Sequence, residues 1–482
     1  MNSKPHSPNT HAASTNTPPW LGLSVLLLAG FVTIFDLFVV NVAIPNIQSQ
    51  LGASFSQIGF IVAGYELAFG VLLITGGRLG DLFGRRKLFI IGMAGFTLAS
   101  ALCGLAPNAF FLIIARVLQG LAAALLFPQV YASIRVNFDG DNSRRAFGLL
   151  GMTLGLAAIA GQVLGGWLIH ADLFDLGWRN IFLINIPIGL LAIAAARYIP
   201  ETRGPQNQGL DGTGVILISL SLSLLLIPII QSSEHGWPLA SLTSLAASLV
   251  LLFVFYRHQQ RRRRIGYLPL VDMQLLAQPR FALGALLVLL VYSTASSFFL
   301  CFALLLQSGF GLSPFHAGSI IAPASVGFIA ASLYAPRLVT RYGTQAITTG
   351  AIGYALSFAW LIGQVAWAGP QLEPAHLIPA LIFLGASQGL IMTPLLNLIL
   401  GFIDETQAGM ASGVISSIQQ IGAALGVAVV GFLFNAGRNT GSAALSQAEH
   451  YVSAFGMGLT YNLVASLLVS LLLIALSRIS RH

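Results

Sequence analysis

Fourteen apolar runs, each near the length that crosses a bilayer, constrain this chain more than any other feature. The first covers about 20–47 and the last about 454–477. A spanning helix needs roughly 20 mostly apolar residues. A soluble chain of 482 residues could not bury so much apolar surface in one core. Charged residues make up 8% of the chain, against about 25% in an ordinary soluble domain, and the mean hydropathy is +0.83. The bilayer must therefore act as the solvent. The expected fold is an all-α membrane protein with fourteen spanning helices.

Residues 1–19 are polar, rich in Ser, Thr, Asn and Pro, and are expected to form a disordered cytoplasmic tail. The run behind them is longer than a signal-peptide core of about 7–15 residues, so it is expected to stay as the first span. Cys103 and Cys301 both lie in apolar runs and form neither a metal spacing nor a disulfide framework. The chain has no His-Glu-x-x-His and no Gly-x-x-x-x-Gly-Lys-Ser/Thr. These absences argue against a membrane hydrolase and against direct drive by ATP. No enzyme activity and no cofactor are expected.

The net charge of +8 does not point to nucleic acid. Arg261 to Arg264 lie between two apolar runs, where a cytoplasmic loop belongs. With both termini in the cytoplasm, 20 of the 23 Lys and Arg fall at inner loops, tails or inner span ends. Arg179 and Arg438 fall outside, and Arg116 falls within a span. Such a bias is the positive-inside rule, reinforced by anionic lipid. It predicts a multi-pass protein of the plasma membrane, of bacterial inner-membrane type.

An internal repeat divides the chain. Arg78-Leu79 and Phe83-Gly84 recur 259 residues on as Arg337-Leu338 and Tyr342-Gly343. Gly161 and Gly165 recur as Gly422 and Gly426, and Gln119-Gly120 as Gln388-Gly389. Two six-span bundles, 20–200 and 266–482, with two additional spans in 201–265 between them, account for the offsets. Parallel repeats of this kind are a known transporter plan.

The segment Gly76-Gly77-Arg78-Leu79-Gly80-Asp81-Leu82-Phe83-Gly84-Arg85-Arg86-Lys87 follows the second run. It resembles the signature loop of the major facilitator superfamily. Within that superfamily, the chain resembles the drug:proton antiporters with fourteen spans. The resemblance covers nearly the whole chain and implies the major facilitator fold. It implies a gating role for Gly77, Arg78, Gly80, Asp81, Gly84, Arg85 and Arg86. Arg116-Val117-Leu118-Gln119-Gly120, in the fourth run (109–134), is similar to a second family motif, whose arginine is linked to proton transfer. Gly155, Gly161, Gln162, Gly165 and Gly166, in the fifth run (146–170), are similar to the motif that marks antiporters. Gln162 stands where the commonest form has Pro. Span 13 (408–435) lacks the acids that bind dications in some relatives, which argues against a dication preference.

The residues support a proton mechanism on their own chemistry. Asp36 sits near the middle of the first run and Glu66 lies in the second. An ionisable group inside a membrane is costly and marks a proton or ion path. Asp36 is expected to exchange the proton, with Arg116 tuning it. Glu66 either pairs with Arg116 or forms a second proton site. Asn41 is a structural alternative as partner of Asp36. The second half has no acid well inside a span but offers Gln307 and Asn397. With Asn41, Gln119, Tyr292 and Phe298 they are candidates to line an amphipathic pocket. The expected function is efflux of amphipathic small molecules in exchange for protons, by a monomer in the lipid bilayer. Uptake of a metabolite or sugar by proton symport is the runner-up.

Overall fold

The computed structural model describes residues 19–204, 209–401, 403, 408–439 and 446–479. Most of the expected N-terminal tail, and Asp404 and Glu405, lie outside the described residues. Among those described, fourteen helices are long and apolar enough to cross a membrane. In the first half they are span 1 (Trp20–Leu51), span 2 (Phe55–Phe83), span 3 (Arg85–Gly104), span 4 (Ala109–Asn137), span 5 (Gly140–Ala171) and span 6 (Gly177–Tyr198). Span 7 (Gly212–Ser232) and span 8 (Leu239–Arg264) follow. The second half holds span 9 (Pro279–Gly309), span 10 (Pro314–Tyr342), span 11 (Thr344–Gln371), span 12 (Pro374–Ile399), span 13 (Met410–Asn439) and span 14 (Gln447–Ala475). Helices suit this solvent because every backbone group is satisfied within the segment.

Local chemistry sets the helix ends. Ser54 caps span 2 with a capping box to Gln57, and Asn108 caps span 4 by accepting from the Phe111 N–H. Spans 2 and 3 are joined by Gly84 alone, at φ 106°, a backbone conformation open to glycine and strained for other residues. Span 9 ends in a π-helical turn, Leu304–Gly309.

Small residues bring the helices together, and the repeat is visible in where they do so. A Cβ on Gly120 would strike the Tyr65 carbonyl of span 2, and one on Gly76 the Ala124 carbonyl of span 4. In the second half, Gly389 stands against the Phe328 carbonyl and Gly385 against the Ala324 carbonyl. Likewise Gly161 and Gly165 pack on Phe38 and Val39 of span 1, while Gly422 and Gly426 pack on Leu289 and Ser293 of span 9. Close backbone approach through small residues is the usual way membrane helices associate.

Spans 7 and 8 form a hairpin outside the two halves, and span 7 packs against both span 2 and span 13. The halves themselves meet through span 2 on span 13, span 5 on span 10, and span 1 on span 9. The face holding the span 2–3 and span 8–9 connections is called here the basic face, and the other the far face. The halves touch at the far face. Phe55 stacks on Phe434, Gly166 abuts the Pro314 backbone, and Gln307 donates to the Val42 carbonyl at 2.9 Å. Toward the basic face, the contact of spans 5 and 10 thins beyond Gly155 and Ile329. Gly148 and Gly151 meet nothing within 4 Å, and Met152 and Leu333 are exposed.

Candidate functional site

Asp36 lies at the centre of a buried polar network built from five spans of the first half. Its Oδ2 is 2.5 Å from Arg116 Nη1 of span 4. Its Oδ1 accepts from Gln119 Nε2 of span 4 at 2.8 Å and from Asn185 Nδ2 of span 6 at 3.0 Å. Gln119 and Asn185 also donate to Ser100 Oγ of span 3, at 2.8 and 3.3 Å. Arg116 donates from Nη1 to Gln119 Oε1 at 2.6 Å and from Nε to the Ile61 carbonyl of span 2 at 3.2 Å. The guanidinium lies over the Tyr65 ring, 4.2 Å from its centre. An isolated charge here would be very costly, and a buried pair is tolerated only when further hydrogen bonds satisfy both partners. This network supplies them. The i, i+3 spacing of Arg116 and Gln119 puts both on one helix face.

Asn185 and Ser100 were not singled out from the sequence. The signal was present, since each is a polar residue inside an apolar run. Asn41 does not partner Asp36. Its Nδ2 donates to the Leu37 carbonyl of its own helix at 3.3 Å, and its Oδ1 has no partner.

Glu66 does not hydrogen-bond to Arg116. Its Oε1 accepts instead from Ser296 Oγ of span 9 at 2.6 Å, a bond between the two halves. Glu66 is buried, and its Oε2 has no hydrogen-bond partner.

At the basic face, the signature loop is held by two separate attachments. Asp81 and Arg85, one turn apart, form an ion pair at 2.7 Å. The loop then docks on 201–204. The Arg85 N–H donates to the Thr202 carbonyl at 3.0 Å, the Gly204 N–H to the Asp81 carbonyl at 3.0 Å, and the Arg86 N–H to Glu201 Oε1 at 3.1 Å. Gly84 faces the Glu201 carboxylate, and Gly80 the Gln129 amide, each where a Cβ would clash; Gly77 has ordinary clearance from Pro128. Nothing in the sequence pointed to 201–204 as the segment on which the loop docks. The second attachment reaches toward the other half. Arg78 Nη2 donates to the Pro269 carbonyl, 2.5 Å away in the connection before span 9.

That connection is held by Asp211, the N-cap of span 7. Its buried carboxylate accepts from the Gly214 N–H, from Gln259 Nε2 at 2.7 Å, and contacts His258 Nε2 at 2.9 Å. Gln259 Oε1 accepts from the Val271 N–H, and Arg263 pairs with Asp272. Burial alone would raise the Asp211 carboxyl. The His258 bond, the Gly214 N–H, Gln259 and the Arg262 charge outweigh it and hold the carboxyl below its ordinary range.

The remaining candidates are dispersed. Gly155 approaches Ile329 of span 10, and the Gln162 carbonyl stands against Gly318, so span 5 is clasped by span 1 on one side and span 10 on the other. Gln162 is buried, and its Nε2 has no partner. Phe298 is buried in an aromatic cluster with Phe302 and Phe358. Tyr292 is half-buried one turn before Ser296, and Asn397 is exposed near the end of span 12. Gln307 lines a cleft of about 640 Å³ at the far face, with Pro45, Gln48, Phe310, Gln447 and Tyr451. Of the six pocket candidates, Gln307 lines this cleft.

The sequence model of the Major Facilitator Superfamily matches residues 26–427. The chain belongs to the major facilitator superfamily. Its relatives include the probable actinorhodin transporter of Streptomyces coelicolor, 36% identical over 89% of this chain and 75% of that one. The puromycin resistance protein of Streptomyces alboniger is 34% identical over 90% and 84%. The cephamycin export protein of Amycolatopsis lactamdurans is 32% identical over 97% and 95%. Among solved structures, a bacterial homologue of the human lysosomal transporter Spinster superposes with a TM-score of 0.68 at 14% identity, covering 96% of this chain and 98% of that one. The nucleoside transporter NupG superposes at 0.65 and 10% identity over 94% and 100%. These superpositions speak to the fold alone. The membrane architecture with fourteen spans and the superfamily agree with the sequence reading.

Proposed function

We propose that this major facilitator exports amphipathic small molecules of antibiotic or drug type in exchange for protons, by rocking of its two halves. The basic face is the cytoplasmic one, with both termini inside a bacterial plasma membrane, and the transporter works as a monomer. The packing of the halves at the far face and the open space beside Gly148 and Gly151 fit the inward-open state. The bundles 20–200 and 266–482 move relative to each other, and the 201–265 hairpin bridges them.

The observation that carries the reading is the pair of buried carboxyls, Asp36 and Glu66, with Arg116, in a chain whose relatives are named for antibiotic export and resistance. Buried acids in a membrane helix have a proton path as their ordinary use. The loop from Gly77 to Arg86 has a gating role at the cytoplasmic face, and Gly155 and Gly166 of span 5 form the hinge surface against span 10. Expression in a pump-deficient bacterium challenged with dyes, biocides and antibiotics tests the reading. Tolerance to at least one compound should rise, and Asp36→Asn should remove it. Accumulation of the compound in the expressing cells would overturn the export direction.

A further inference from the structure

Two buried acids belong to the first half, and only one of them touches the second. Asp36 draws all its donors from its own half: Arg116, Gln119 and Asn185. A rocking motion of the halves leaves that network unaltered. Glu66 differs in every respect. Its single hydrogen bond crosses to Ser296 on span 9, and its second oxygen is buried without a partner.

Glu66 has no second hydrogen-bond donor, and Arg116, the cation nearest it in the network, makes its hydrogen bonds elsewhere. Arg116 is committed to Asp36, Gln119 and the Ile61 carbonyl. Tyr65, on the same helix, directs its hydroxyl to the Thr33 carbonyl. Span 9 presents Ser296, with Tyr292 and Phe299 within a turn. Span 13 packs one turn along span 2, where Gly70 meets the neutral Ser417 and Gln420. The acid of the span 7 hairpin, Glu234, binds Ser56 near the far end of span 2.

A carboxylate has about four lone-pair sites to satisfy, and burying its charge is costly without several donors. One neutral hydroxyl suits a neutral carboxyl, in which Oε1 accepts from Ser296 and Oε2 carries the proton. An ionised Glu66 needs further donors, which water supplies once spans 2 and 9 begin to separate.

We propose that Glu66, through Ser296, is the group that couples proton binding to the position of the halves, while the bonds of Asp36 to Arg116 stay within the first half. Protonated Glu66 holds span 2 to span 9. Loss of its proton to entering water releases the contact and favours the alternative state. Ser296 is a positioning residue in this scheme. The inference rests on the proton-coupled reading above and assigns the coupling step within it.

Spin labels at Met152→Cys and Leu333→Cys report the test, since both positions are exposed on the facing helices 5 and 10. The native cysteines, Cys103 and Cys301, are buried. In full-length protein in nanodiscs, the inter-label distance distribution is recorded across pH. The unsubstituted background should shift between two populations with pH. Glu66→Gln, which can still accept from Ser296 but cannot release a proton, should fix the distribution at the present state. Ser296→Ala should move the ratio of populations by about fivefold at a given pH, the size of one lost hydrogen bond. Retention of the full pH-dependent shift in Glu66→Gln would overturn the assignment while leaving proton coupling intact. Absence of any shift in the background, together with gradient-independent transport, would overturn the coupled reading itself.

Discussion

Arg116 Nη1 and Asp36 Oδ2 lie 2.5 Å apart, with the two side chains 1% and 0% exposed. Removing one member of such a pair leaves a buried charge unmatched, at a cost of about 3–5 kcal/mol. Asp36→Ala and Arg116→Ala should each lower the thermal unfolding temperature of the detergent-solubilised protein sharply. The double variant Asp36→Ala, Arg116→Ala should lose less than the two single changes combined. Equal additivity would show that the pair is not coupled.

Gly166→Val places its side chain against the Pro314 carbonyl and Phe315 Cα, both backbone atoms that cannot step aside. Overpacking of this kind costs about 1–3 kcal/mol. The cost falls on the far face alone, so the halves should part there. A cysteine at Gln48, in the far-face cleft, should then react faster with a membrane-impermeant thiol reagent. Gly151→Val, where nothing lies within 4 Å, should leave that rate unchanged.

The carboxyl of Asp211 is held below its ordinary range in the folded protein, so folding favours its ionised form. Its stabilisation is complete above the ordinary aspartate value of about 3.9 and is lost as pH falls through the lower folded value. Asp211→Asn should flatten that acid limb in a plot of unfolding temperature against pH. It should also loosen the connection before span 9, and with it the hold on Arg78. An unchanged acid limb would place the titrating group elsewhere.

The architecture was legible because membrane physics leaves few choices. Twenty-residue apolar stretches must span, and 20 of 23 basic residues on one side fix their alternation. Asp36, Glu66 and Arg116 stood out because charge is so rare in these helices. Their partners were less legible. Whether Arg116 meets Asp36 or Glu66 depends on how spans 1, 2 and 4 are rotated about their axes, and hydropathy does not encode rotation. The Glu66–Ser296 bond joins residues 230 apart in the chain. Asn185 was as visible as the other amides in apolar runs, but nothing in the sequence turns it toward Asp36. The docking of 201–204 on the signature loop depends on backbone groups, which every residue has. Rotation also decides where Phe298 and Asn397 sit, the first in the aromatic core and the second exposed near the end of span 12.

Proton-driven efflux is the centre of this account, and transport by the full-length protein in proteoliposomes tests it most directly. A compound from the susceptibility panel is loaded, and its movement is followed with and without an imposed pH gradient. The account predicts transport that follows the gradient, stops when an ionophore collapses it, and is lost in Glu66→Gln. Undiminished transport after collapse of the gradient, surviving in Glu66→Gln and Asp36→Asn alike, would contradict it.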